Sequence, residues 1–142
     1  ISEKSGNAML DIDNIQVKAN KGIINDRYFK EENDKDLQIT LIESENIDYF
    51  NQKSNTKINY IEFRRNIITK GIELNNLIGK YILLGSVKVK AQRLCDPCKY
   101  LQDKLKEKNS IKNLSNLYNR GGLRCEILSS GPISVQDKIE VI

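Results

Sequence analysis

A chain of 142 residues, 39% hydrophobic and 30% charged, holds enough apolar material for one packed domain and too little length for two sizeable ones. Its apolar runs are only a few residues long, which excludes a membrane-spanning helix, and the lack of any histidine excludes Cys-His and Ser-His hydrolytic catalysis. The net charge of +4, from 23 basic and 19 acidic residues, suits a partner with a few negative charges but falls short of the dense basic footprint of a dedicated nucleic-acid binder.

The chain opens at Ile1 with its one methionine at position 9, so a trimmed native start is expected, and residues 1–142 read as a single domain. Three cysteines are an odd number without the density of a disulfide scaffold, which points to free thiols in the reducing cytoplasm.

In chain order, "KGIINDRYF" sets Asp26 and Arg27 after a turn. "LQITLI" alternates Leu37, Ile39 and Leu41 and predicts a strand. "SENIDYF" predicts a short helix capped by Ser44, with Ile47 and Phe50 on its buried face. "FRRNIITKG" then places Arg64, Arg65 and Asn66 together ahead of Gly71. "GKYILLGSVKVKAQRL" predicts two β segments broken at Gly85, the second setting Val87, Val89 and Ala91 inward against Lys88 and Lys90. "CKYLQDKLKEK" predicts a helix with Leu101 and Leu105 one turn apart under a lysine-rich face. "NRGGLR" follows Arg120 with Gly121 and Gly122, and "LRCEIL" and "KIEVI" predict strands joined through "SSGPISVQD", where Gly131, Pro132 and Asp137 supply turn chemistry. Short strands therefore outnumber helices. The expected fold is mainly β, a closed or nearly closed β-barrel with a few short helices.

The pair Cys95 and Cys98 in "LCDPCKYL" carries the chemistry that the sequence offers. A structural zinc site wants four ligands, and with Cys125 the chain offers at most three thiolates and a carboxylate. A redox dithiol of the thioredoxin type wants a βαβ setting, whereas the surroundings here are β-rich. A single reactive thiol is the third reading. Asp96 as a cap and Pro97 at the first helical position place Cys98 in a first turn, where orphan N–H groups, the helix dipole and the charges of Arg93 and Lys99 favour the thiolate. Burial as a small hydrophobe is the commonest fate of a free cysteine; it is the expectation for Cys125, and Cys95 stays open between the readings.

The arginine-bearing motifs have two readings as well. Surface arginines are commonly just solvated and Gly-Gly is commonly just a turn. Taken together, Asp26, Arg27, Arg64, Arg65, Asn66 and Arg120 predict a basic pocket for a phosphorylated ligand, with the Gly121 and Gly122 amides approaching an anion that Arg120 holds. Walker A and Rossmann glycine patterns are absent.

These motifs, in their order and spacing from about Gly22 onward, resemble the MOSC domain family, found at the C-terminus of molybdenum-cofactor sulfurases and as small free-standing proteins. The resemblance implies a β-barrel-like fold and a pocket for the molybdenum cofactor, a pterin dithiolene with a phosphate tail. The family's characteristic cysteine falls on the Pro-Cys step, so Cys98 is the implied catalytic thiol or molybdenum ligand, carrying persulfide sulfur or binding the metal. Asp26, Arg27, Arg64, Arg65, Asn66, Arg120, Gly121 and Gly122 are the implied cofactor contacts. Asn25 and Gln136 stand where the family has glycine; Gln tolerates a left-handed backbone poorly, so the last turn is expected to take another shape.

No pyridoxal-phosphate desulfurase domain accompanies these motifs, so pyridoxal phosphate is not expected in this domain, and sulfur would come from a separate cysteine desulfurase. Three functions follow as alternatives. One is a molybdenum-cofactor-binding or sulfur-carrier domain. Another is a molybdenum-dependent reductase of N-hydroxylated compounds fed by an electron-transfer protein. The third, a nucleic-acid module, is disfavoured by an aromatic content of 6% with no stacking pattern.

Overall fold

The computed structural model of the chain describes residues 1–4, 8–95 and 119–142. Within them nine strands and one α-helix alternate: β1 (Asn14–Lys18), β2 (Gly22–Ile23), β3 (Ile39–Glu43), α1 (Ser44–Ser54), β4 (Ile67–Thr69), β5 (Tyr81–Leu84), β6 (Val87–Leu94), β7 (Leu123–Ile127), β8 (Gly131–Ser134) and β9 (Ile139–Val141). Two 3₁₀ turns, Tyr60–Phe63 and Leu74–Leu77, flank β4.

Six strands form one strongly curled, open half-barrel in the order β4-β3-β7-β6-β5-β9, and a three-stranded sheet, β2-β1-β8, packs with it. The expected barrel is thus open along the seam between β4 and β9. All neighbours pair antiparallel except β3 and β4, which pair parallel because α1 carries the chain back across the sheet between them.

Alternation decides which side chains fill the barrel. Val87, Val89 and Ala91 of β6 are buried, with Leu123, Cys125 and Ile127 of β7 beside them and Val17, Ile23 and Ile133 of the small sheet closing the same core. β3 is buried on both faces. Ile39 and Leu41 point into the barrel, while Ile42 joins Ile47, Phe50, Ile58 and Phe63 in a second cluster beneath α1. There Phe50 and Phe63 meet edge to face, with centroids 5.7 Å apart and planes at 86°. Each such aromatic contributes on the order of 1.5–3 kcal/mol by burial, so this cluster locks the helix and the loop after it against β3.

Three local expectations are corrected. Ser44 is the first residue of α1, not its cap: β3 runs straight into the helix, the capping position falls on Glu43 without a side-chain cap bond, and the Ser44 hydroxyl donates to Glu45 instead. The segment "SSGPISVQD" contains β8, read from sequence as a turn. Pro132 is tolerated there because β8 lies at the edge of its sheet, pairing only with β1. Gln136 does adopt the left-handed backbone, with φ of 73°, as does Asn25 at 72°. The last turn therefore keeps its left-handed residue, held by the Asp137 carboxylate accepting from the Ser134 amide at 2.8 Å. The helix expected after Cys98 lies outside the described residues.

Candidate functional site

The loop Arg64 to Asn66 is a hub bonded on one side to β3 and on the other to the Gly121-Gly122 step. Arg64 ends the first 3₁₀ turn in a left-handed conformation, φ 59°, and its amide donates to Ile61 at 3.1 Å. That reversal turns Arg65 and Asn66 toward opposite neighbours. The Asn66 carboxamide oxygen accepts from both the Thr40 amide (2.9 Å) and the Thr40 hydroxyl (3.0 Å), while that hydroxyl accepts from the Asn66 amide at 2.9 Å. Asn66 thereby stitches the loop to β3. Arg65 reaches the other way, its Nε donating to the Gly121 carbonyl at 2.9 Å.

Gly121 and Gly122 are buried where β7 begins, wedged between the end of β6 and β3. A Cβ on Gly121 would lie 2.0 Å from the Cys95 carbonyl oxygen, and one on Gly122, at φ 97°, would lie 1.8 Å from that of Leu41. The Gly122 carbonyl accepts from the Cys95 amide at 2.7 Å. Close backbone packing thus accounts for glycine at both positions.

Arg120, just ahead of them, lies over α1. Its guanidinium stacks 3.9 Å from the Tyr49 ring centroid and donates through Nη1 to Asn46 Oδ1 at 3.0 Å. Asn46 is itself oriented by donating to the Glu43 carboxylate at 2.8 Å. Burial pushes the Glu43 carboxyl above its ordinary range, with the charges of Glu45 and Glu73 adding to the effect and hydrogen bonds from Leu74 and Asn46 opposing it. Arg120 is half-buried, and no described residue partners its Nε or Nη2.

Asp26 and Arg27 are engaged in contacts of their own with the N-terminal segment. Their side chains are 1% and 8% exposed, and they pair at 3.5 Å. The Asp26 carboxylate accepts from the Ser2 and Tyr28 amides at 3.0 and 3.4 Å. Arg27 donates to Met9 Sδ at 3.3 Å and stacks 4.4 Å from the Tyr28 ring centroid. The pair fastens the N-terminal segment to the body of the fold. Burial lowers the pKa of the Ile1 amine beside it, and the charges of Asp26, Arg27 and Arg64 act on that amine as well.

Of the cysteines, Cys125 is fully buried in β7, and burial alone pushes its thiol up to about 12, which disfavours the reactive thiolate. Cys95 is also buried, 1% exposed, directly after β6. Cys98, with Asp96, Pro97 and Lys99, lies outside the described residues. Arg93 is ion-paired with Asp36 at 2.7 Å, so its charge is partly offset rather than fully available to a nearby thiol as expected.

Arg65 and Asn66 border a cleft of about 780 Å³, but its walls are largely aliphatic and carry both signs of charge. Asn46, Tyr49 and Thr40 are the positioning residues that sequence reasoning missed. Asn46 and Tyr49 stand three apart on α1, and nothing in the sequence links them to an arginine more than seventy positions away.

Architecturally the chain is a mainly β protein on an open, strongly curled half-barrel, with an arginine-asparagine loop bound to a Gly-Gly step that in turn holds the Cys95 amide just past the end of β6. The family model for the MOSC domain matches residues 26–140, and the chain belongs to the MOSC domain family. MOSC domains are associated with the molybdenum cofactor.

Among solved structures, the YuaD protein from Bacillus subtilis superposes with a TM-score of 0.85 at 17% identity, over 99% of this chain and 91% of that one. YiiM from Escherichia coli gives 0.71 at 15% identity, over 99% of this chain and 67% of that one. YiiM from Geobacillus stearothermophilus gives 0.64 at 19% identity, over 76% of this chain and 55% of that one. These likenesses show the fold. No curated protein matches the chain in sequence. Among the described residues no helix is long and apolar enough to cross a membrane.

Proposed function

We propose that this domain binds the molybdenum cofactor at the junction of the Arg64–Asn66 loop with the Arg120-Gly121-Gly122 step, and that Cys98 supplies the sulfur atom that acts on the metal. One observation carries the reading: the Gly-Gly step bonds on one side to Arg65 and on the other to Cys95, three residues before Cys98. Three residues of chain reach at most about 10 Å, so Cys98 is tethered to the same junction.

The donor set fits the cofactor's phosphate tail. Guanidinium groups recognise phosphate oxygens in the plane of their N–H fork, and Arg120, backed by Tyr49, presents Nε and Nη2 with no protein partner among the described residues. Asn66 is already committed to Thr40 and acts by fixing the loop. When bound, the cofactor would supply a soft, redox-active metal for which a cysteine sulfur is a suited ligand.

Two versions of this reading differ in what Cys98 does: it either carries persulfide sulfur received from a separate desulfurase, or ligates molybdenum in a reductase fed by an electron-transfer partner. Elemental analysis and intact mass of protein made in a molybdenum-replete host, wild type beside Cys98→Ser and Arg120→Ala, test both. Retained molybdenum that is lost in both variants supports ligation. A 32 Da increment on Cys98 without metal supports the carrier. Protein free of metal and of added sulfur, in a host proven to make the cofactor, would sink the proposal.

A further inference from the structure

The cleft at the open seam of the half-barrel has a composition unlike that of a phosphate site. It runs between the two end strands of the large sheet, β4 and β9, and is walled by segment 9–15 and the β8–β9 turn, with Leu84 and Ile133 also lining it. Of the ten large hydrophobic residues exposed among the described ones, five stand on it: Leu10, Ile12, Tyr60, Ile68 and Val135. Scattered surface hydrophobes need no explanation, but half of them gathered on one concavity do.

Its polar groups narrow the ligand. Three basic and four acidic side chains line it, so the charges nearly cancel and a strongly charged molecule gains little there. The outer edges of β4 and β9 have no strand partner among the described residues, which leaves backbone N–H and C=O groups along the seam. Open strand edges suit a ligand with both donors and acceptors and no net charge. The volume, about 780 Å³, falls within the range of small-molecule sites and is far below what a protein domain would need.

We propose that this seam is a binding site for an uncharged, largely apolar small molecule bearing amide-like hydrogen-bonding groups. Arg65 and Asn66 stand at one border of it, so a ligand lodged there would lie beside the loop bound to the Gly-Gly step that holds Cys95. The proposal needs neither bound cofactor nor Cys98, and it stands or falls separately from the reading above.

The test uses Nile red, a neutral solvatochromic dye, titrated into the whole chain alongside the anionic dye anilinonaphthalene sulfonate. Saturable one-to-one binding of Nile red is expected. Ile68→Arg on β4 and Val135→Arg on the β8–β9 turn, both at exposed positions lining the cleft, should each weaken it about tenfold, the effect of a lost apolar contact and an added charge. Ile78→Arg, exposed but not lining the cleft, should leave the affinity within about twofold. Two separate wall variants keep the test valid should one fail to fold. Non-saturable dye uptake, equal losses in Ile78→Arg, or tighter binding of the anionic dye in competition with Nile red would each overturn the proposal.

Discussion

Replacing Gly122 by alanine isolates how much of the site depends on backbone contact. The new Cβ would sit 1.8 Å from the Leu41 carbonyl oxygen, 2.9 Å from its carbon and 3.1 Å from the Ile42 Cα, all backbone atoms of β3 that no rotamer change can move aside. Real Cβ contacts keep at least 3.0 Å, so β3 and β7 would have to part by more than 1 Å at the point where they pair. Overpacking of this kind costs about 1–3 kcal/mol, and a left-handed residue other than glycine adds about 1–2 kcal/mol.

The expected loss is therefore about 2–5 kcal/mol, against a total stability of about 5–15 kcal/mol for a domain of this kind. Gly79→Ala provides the control, because Gly79 has a similar φ of 82° with nothing within 4 Å of its Cβ. It should lose only the conformational part, about 1–2 kcal/mol. Urea denaturation of both variants beside wild type measures the difference. If Gly122→Ala proves no less stable than Gly79→Ala, the close approach is not what holds the Gly-Gly step.

Other outcomes follow from the same geometry. Asn66→Ala should destabilise by about 1–3 kcal/mol, since it strands the Thr40 amide, whereas Asn66→Asp, which keeps the acceptor, should lose less; denaturation midpoints that rank the other way would contradict the stitching role. Glu43 has its pKa raised above 4.5 in the folded state, so the fold gains from its protonation below that value and loses the gain as pH rises through the raised one. Glu43→Gln should accordingly be more stable than wild type at pH 7, with the gap closing toward pH 4.5; a gap that does not vary with pH would refute the burial argument. Cys125, with its thiol at about 12, should resist iodoacetamide at pH 8 in the native protein and react only in denaturant, with Cys98 labelled first, as mapped by peptide mass.

Much of the fold was legible locally. The alternation of Val87, Val89 and Ala91, the break at Gly85, and Ile47 with Phe50 on one helical face each set an element without help from afar. β1 and β2 drew no expectation, because β1 alternates only Ile15 and Val17 and β2, at two residues, is too short to show a period. β8 was hidden because Gly131 and Pro132 are turn-formers in isolation, and only pairing with β1 makes an extended strand of them. The barrel's openness was not legible at all, since it depends on whether β4 and β9 meet, two strands seventy residues apart.

For the site, the sequence determined which residue types were available: a Pro-Cys step, an arginine-asparagine loop, an Arg-Gly-Gly step and no histidine. Periodicity and side-chain chemistry act over a few residues, and those features are local. Tertiary structure decided their use. It buried Asp26 and Arg27 against the N-terminal segment, gave Gly121 and Gly122 to backbone packing, laid Arg120 on Tyr49, and tied Arg65 to the Gly-Gly step that holds the Cys95 amide at the end of β6. A guanidinium's partner is whatever the fold brings within 3 Å of it, and that distance is set by how β3, β6 and β7 pair, which short-range pattern cannot specify.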